Sequence, residues 1–200
     1  METAVNIIKH RRNTIEELIA TPSQYGVEVD IRSYGDALVV HHEPFTPGPL
    51  LVDWLRHFRH GTLILNVKEE GLEENILRLV HTQGITDYFF LDQSFPFLIK
   101  TARNGERRCA VRVSEFESLE TALQVAPLVD WVWVDCFTRF PLTQADAHKL
   151  QTAGLKLCLV SPELQGFEPE ESIPALRDLL LQEGIFAEAV CTKRPDLWER

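Results

Sequence analysis

The stretch GVEVDIR, residues 26–32, alternates as a strand should, with Val27, Val29 and Ile31 on one side, yet sets Glu28, Asp30 and Arg32 on the other. Residues two apart on a strand project the same way, about 6.6 Å apart along it. Glu28 and Asp30 therefore point together, and two carboxylates that close are expected to share a cation or a proton, because repulsion and burial both penalise a bare pair. A hard divalent ion with oxygen ligands, Mg²⁺ or Ca²⁺, is one natural partner. An internal ion pair with Arg32, Lys68 or Arg112 is the other, and the spacing alone leaves both open.

Histidine is the side chain best suited to proton transfer near neutral pH. His10 ends the apolar run VNIIK, and His41 and His42 end the extended segment ALVVHHE, where strand neighbours face opposite ways and one of the two points inward. His57, His60, His81 and His148 fall in segments with helical spacing, which assigns them solvated or capping roles. Lys68 and Arg11 add fixed positive charge, which suits an oxyanion such as phosphate. The four cysteines, Cys109, Cys136, Cys158 and Cys191, lie singly in or beside apolar runs with no C-x-x-C pairing, so they read as buried hydrophobes.

The elements that must position these groups recur at similar intervals. Eight apolar runs, at 5–9, 26–31, 62–67, 87–92, 109–113, 131–135, 155–160 and 185–190, alternate with helical patterns such as GLEENILRLVHTQG and TQADAHKLQTAG. Ser118 and Thr143 mark helix starts; Gly84, Gly154 and Gly184 mark helix ends. Strands alternating with helices predict parallel β-α-β units, and eight units favour an α/β fold of the (β/α)₈ barrel class, one domain over residues 1–200. Polar residues gather at the C-terminal ends of the runs, among them His10 and Arg11, Glu28 and Asp30, Asn66 and Lys68, Asp92, Arg112 and Asp135. In barrel enzymes that edge carries the active site.

Bulk properties narrow the function. The chain has 200 residues, 44% hydrophobic and 25% charged, with a net charge of -10. Such a surface opposes general nucleic-acid binding, which needs a basic footprint, but leaves room for one small anion at a locally positive site. No apolar run approaches the ~18 residues of a membrane span, and the start METAVNIIKHRRN lacks the pattern of a secretory leader, so a cytoplasmic protein without membrane insertion is expected. Oligomeric state is left open.

In order along the chain, H-R (10–11), N-T-I-E-E-L (13–18), V-E-V-D-I-R (27–32), V-V-H-H-E-P (39–44) and N-V-K (66–68) resemble the glycerophosphodiester phosphodiesterases, within the phosphatidylinositol-phospholipase-C-like barrel superfamily. The family pattern is H-R-G, E-N-T, E-x-D, H-D and E-x-K on successive strands, and CTKRPD (191–196) is similar to its closing T-D-x-P. The resemblance implies that His10 and His42 are the catalytic histidines with Arg11 beside the phosphate, that Lys68 stands where the family's catalytic lysine stands, that Glu28, Asp30 and Asn66 stand where the metal ligands stand, and that Glu43 orients His42. It implies a metal-dependent hydrolase acting on a small glycerol- or sugar-phosphate diester, with Arg112 and Asp135 expected to select the substrate. The attacking group in the family is often the substrate's own neighbouring hydroxyl.

Several positions depart from the pattern. Asn66 replaces the third metal carboxylate, with Glu69 and Glu115 as candidate replacements; Arg12 replaces the glycine after H-R; and Lys193 replaces the closing aspartate. The insertion that covers the substrate's glycerol end in the family is missing. Two further readings follow: a barrel that binds a phosphorylated ligand without hydrolysis, or a metal-free lyase; a sugar-phosphate enzyme using Glu28 or Lys68 as base is a third.

Overall fold

In the computed structural model, which describes residues 5–199, the elements run β1 (Asn6–Lys9), α1 (Ile15–Ala20), β2 (Gly26–Tyr34), β3 (Ala37–Val40), α2 (Leu51–Arg56), β4 (Leu63–Val67), α3 (Glu73–Thr82), β5 (Tyr88–Leu91), α4 (Phe95–Arg103), β6 (Ala110–Val113), α5 (Leu119–Val125), β7 (Trp131–Val134), α6 (Gln144–Thr152), β8 (Lys156–Val160), a 3₁₀ turn (Pro162–Gln165), α7 (Pro169–Glu183), β9 (Ala189–Thr192) and α8 (Pro195–Trp198). Residues 1–4, the first part of the stretch read for a leader, lie outside the described residues. Eight of the nine strands match the eight expected runs. The ninth, β3, is the ALVV segment.

By its internal contacts the chain divides into two units, one of residues 9–108 and one of the residues up to 8 with those from 109 onward. In the first, β5, β4 and β2 pair in that order and in parallel, with Glu28 opposite Ile64 and Asp30 opposite Asn66. β3 pairs antiparallel to β2, Tyr34 opposite Ala37 and Ile31 opposite Val40. Its core is built on β2 and β4, where Val27, Val29, Ile31, Leu63 and Leu65 are buried with Trp54 of α2. In the second unit the order is β1, β9, β8, β7, β6, with β6 to β9 parallel. Its strands carry the buried Val132, Trp133, Leu157, Leu159 and Val190.

Helix boundaries follow capping chemistry. Thr143 forms a capping box with Asp146, Thr14 does the same with Glu17, and the Ser118 hydroxyl accepts the Thr121 N–H. At the other ends the glycines act as expected: Gly184 is left-handed, its N–H reaches Leu181 O, and the N–H of Ile185 reaches Leu180 O at 2.8 Å. This Schellman closure corrects the eighth expected strand. Ile185 is apolar because it packs as the residue after the cap, so the strand begins at Ala189 rather than 185 and takes in Cys191 and Thr192. The same closure at Gly154 moves the start of β8 from Leu155 to Lys156.

Other expectations are revised. β2 does not stop at residue 31 but continues to Tyr34 and turns back at Gly35-Asp36. α2 ends at Arg56, so His57 is its cap and His60 lies in the following loop, where its Nε2 donates to Thr21 O at 2.9 Å. The chain leaves the helix there because Phe58 turns back to stack on Trp54, ring centroids 6.2 Å apart. His81 and His148 do sit in helices, α3 and α6. The four cysteines are free and buried.

Candidate active site

β2 is covered on both faces, so the side chains of Glu28 and Asp30 are 1% and 0% exposed and each oxygen must be met inside the protein. Glu28 Oε1 accepts from Asn66 Nδ2 at 2.8 Å, and Oε2 accepts the backbone N–H of Arg11 at 2.7 Å, with His10 Nε2 3.9 Å away. Asp30 Oδ2 accepts from Asn13 Nδ2 at 2.8 Å, and Asn13 Oδ1 accepts the Asp30 N–H in return at 3.0 Å. The Lys68 ammonium lies 3.2 Å from Asp30 Oδ1 and donates to Asp92 Oδ2 at 3.1 Å. Burial, with the charge of Asp30 beside it, raises the Glu28 carboxyl from its ordinary 4.5 to about 7 against the pull of Asn66, Arg11 and Lys68.

Arg11 sits in the left-handed region, φ 49°, a conformation that costs a residue with a side chain about 1–2 kcal/mol. Glu28 holds it there through the Arg11 N–H, and Glu28 O accepts the N–H of Arg12 at 2.8 Å. The indole of the fully buried Trp54 closes the turn from behind, donating to Arg12 O at 2.9 Å. The turn aims the guanidinium across the site: Nε is 3.5 Å from Asp30 Oδ2, and Nη2 donates to His42 Nε2 at 2.6 Å.

The hairpin delivers His42 to this point. β3 returns beside β2, the N–H of His41 bonds Asp30 O at 3.0 Å, and Arg32 Nε donates to His42 O at 2.8 Å. Gly48 permits the return, because a Cβ there would lie 2.2 Å from Val40 O. A guanidinium only donates, so Nε2 of His42 must accept and the ring proton sits on Nδ1, which donates to Glu43 Oε1 at 2.7 Å. That bond from His42 holds the Glu43 carboxyl below its ordinary range. His41 turns the other way, and its Nδ1 accepts the Glu43 N–H at 3.0 Å. One histidine of the pair faces the network, as the strand alternation requires.

Seven of the expected residues, His10, Arg11, Glu28, Asp30, His42, Asn66 and Lys68, are thus joined in one continuous set of contacts inside residues 9–108. Asn13 belongs to it as well; it begins the N-T-I-E-E-L element of the resemblance but was given no role there. Arg112 and Asp135 lie in the other unit and pair there: Arg112 Nη1 meets Asp135 Oδ2 and Nε lies 3.6 Å from Glu117 Oε1, while Asp135 Oδ1 accepts from Gln165 Nε2 at 2.6 Å and from the Cys136 N–H at 3.0 Å. Glu69 and Glu115 do not replace the missing carboxylate. Glu69 accepts from the N–H and hydroxyl of Ser33 and pairs with Arg32, and Glu115 accepts the N–H groups of Phe137, Thr138 and Arg139.

The expected Mg²⁺ or Ca²⁺ would draw on five oxygens, those of Glu28, Asp30 and Asn66. Three already accept hydrogen bonds, from Asn66 Nδ2, Arg11 N and Asn13 Nδ2, while Asp30 Oδ1 makes no hydrogen bond and has the Lys68 ammonium 3.2 Å away as an ion pair. Asn66 Oδ1, buried and without a donor, is the fifth. A hard cation takes about six or more oxygens, of which one or two protein carboxylates can suffice when water supplies the rest, but here two of the neighbouring groups, Lys68 and Arg11, are themselves cations beside those carboxylates. Among the described residues no group of three or more His, Cys, Asp and Glu side chains is placed to hold a metal. The donor set as built fits an ammonium and a guanidinium, and does not fit a divalent ion.

No protein-family model matches the chain, and no curated protein matches it in sequence. Solved structures do. A protein of Agrobacterium tumefaciens assigned as a glycerophosphoryl diester phosphodiesterase superimposes with a TM-score of 0.72 over 98% of this chain and 96% of its own, at 14% identity. A glycerophosphodiester phosphodiesterase of the same organism gives 0.67 over 97% and 98%, at 15% identity. The fold is therefore the α/β class of the (β/α)₈ barrel, shared with these proteins.

Proposed function

We propose that the protein cleaves a small phosphodiester of the glycerol- or sugar-phosphate type by acid and base catalysis between His42 and His10. The observation that carries this reading is the single contact network that joins both histidines, through Glu28 and Arg11, to the cationic Lys68. Likeness of fold to two phosphodiesterases supports it. A phosphate oxygen arriving at Arg11 competes with His42 Nε2 for the same guanidinium proton, so anion binding uncovers the imidazole lone pair. His42 Nε2 then takes the proton of the attacking hydroxyl as its oxygen bonds phosphorus; the bond from phosphorus to the leaving oxygen breaks, and His10, beside the Glu28 carboxyl, protonates that oxygen. Glu43 keeps the base in its working tautomer.

The test is turnover of glycerophosphodiesters and of bis-p-nitrophenyl phosphate by wild type, His10→Ala and His42→Ala. Each alanine variant is expected to lose roughly 10²–10⁴-fold in kcat. Equal turnover by all three would remove the histidines from the mechanism. Cleavage of the first substrate class alone would identify the substrate's neighbouring hydroxyl as nucleophile, since bis-p-nitrophenyl phosphate has none. Binding of a phosphorylated ligand without cleavage is the second reading, favoured by the Arg11 contact that covers His42 Nε2. Among the described residues no helix is long and apolar enough to cross a membrane.

A further inference from the structure

We propose that this site works without a divalent metal ion, and that the Lys68 ammonium, seated between Asp30 and Asp92 and assisted by Arg11, supplies the positive charge that meets the nonbridging oxygens of a phosphate group. The inference rests on the anion site described above but not on the diester being cleaved.

Charge and geometry lead to it together. With an amide at position 66, the group of Glu28, Asp30, Asp92, Arg11 and Lys68 carries three formal negative and two formal positive charges, one negative fewer than a carboxylate at 66 would give. Two cations seated among the carboxylates offset most of the attraction for a dication, and with Glu28 and Asp30 buried beneath them the Lys68 and Arg11 side chains meet a ligand beside the partly exposed Asp92. The burial has that sense: Asp30 and Glu28 are 0% and 1% exposed, Lys68 15% and Arg11 42%.

Lys68 is also placed to serve. Its N–H bonds Ile31 O at 3.0 Å, which anchors the residue where β4 ends beside β2. An ammonium has three protons. One proton goes to Asp92 Oδ2 at 3.1 Å and Asp30 Oδ1 lies 3.2 Å away as an ion-pair partner, which leaves donor capacity for a ligand oxygen. Asp92 is itself held at φ 59°, a left-handed backbone that a residue with a side chain adopts at a cost when its surroundings fix it. Asn66 completes the arrangement by donating to Glu28, where a carboxylate at that position would repel it and draw in a cation.

Three titrations on the whole chain test this. Wild type stripped with EDTA and titrated with MgCl₂ or CaCl₂ is expected to give no saturable heat and no rise in melting temperature up to about 10 mM, since a ligand that binds the native state raises it. Inorganic phosphate, titrated in EDTA, is expected to bind and to bind equally after Mg²⁺ is added. Lys68→Met should weaken phosphate roughly 10–100-fold, the worth of a charge-assisted hydrogen bond, and Lys68→Arg should restore most of the loss. Saturable Mg²⁺ or Ca²⁺ binding that disappears in Asp30→Asn would overturn the proposal, as would phosphate binding that requires a divalent ion or is absent in both conditions. Should Lys68→Met fail to fold, the wild-type titrations decide alone. Phosphate binding in EDTA without any diester turnover would defeat the hydrolysis reading and leave this one standing.

Discussion

Residues 9–108 and the unit from 109 onward treat polar groups differently. In the second unit the charges close on themselves: Arg112 on Asp135, Asp135 on Gln165, Glu163 on Thr192 and the Lys193 N–H, Arg194 on Glu170 and Asp196. Its residues of positive φ are the glycines Gly154, Gly166 and Gly184. In the first unit two carboxylates are buried side by side inside a strand, and all three described non-glycine residues of positive φ, Arg11, Phe45 and Asp92, are there. Strain and uneasy burial persist where surrounding structure over-determines them, and they concentrate at functional sites. The difference supports placing the proposed acid and base chemistry in the first unit.

The contrast can be tested by stability measurements, and the largest effect concerns Glu28. Its carboxyl titrates near 7 when folded and near 4.5 when exposed, so between those values the unfolded state gives up its proton first and stability falls as pH rises. Denaturant unfolding of wild type and Glu28→Gln at pH 5 and pH 8 should show the variant sparing on the order of 3 kcal/mol of that fall. An identical pH slope in both proteins would remove the buried-carboxylate argument. Next in size is Arg112→Ala, which leaves Asp135 with Gln165 and the Cys136 N–H alone. A loss on the order of 2 kcal/mol is expected, with kcat for any diester unchanged; a changed substrate preference would instead place Arg112 in the recognition of substrate. Smallest is Arg11→Gly. Relief of the left-handed strain offsets the lost contact with Asp30, so stability should stay within about 1 kcal/mol of wild type while phosphate affinity and turnover drop.

Much of this was legible in the chain because parallel strands buried on both faces make any polar residue within them conspicuous. Glu28, Asp30 and Asn66 stood out for that reason, and the periodic glycines located the helix ends. What escaped were pairings across sequence. Nothing in the spacing says that Asn13 would hold Asp30 from both sides, 17 residues away, or that Arg112 and Asp135, 23 apart, would choose each other. The run IFAEAV misled because an apolar residue after a helix-ending glycine serves the cap as readily as a strand. Helix α4, FPFLIKTAR, was missed because its aromatic and β-branched content masks the helical period; Pro96 in its first turn was the sign available. The metal expectation turns on position 66, where an amide whose Nδ2 donates to Glu28 stands in place of a carboxylate.

Of the chain's four tryptophans, residues 9–108 contain one, Trp54, whose indole proton rests on the carbonyl that follows the strained Arg11. The protein therefore carries an intrinsic optical probe wired to the turn that carries Arg11. Emission recorded from a chain in which Trp131, Trp133 and Trp198 are replaced by phenylalanine would report any relaxation of that loop directly, with no label attached.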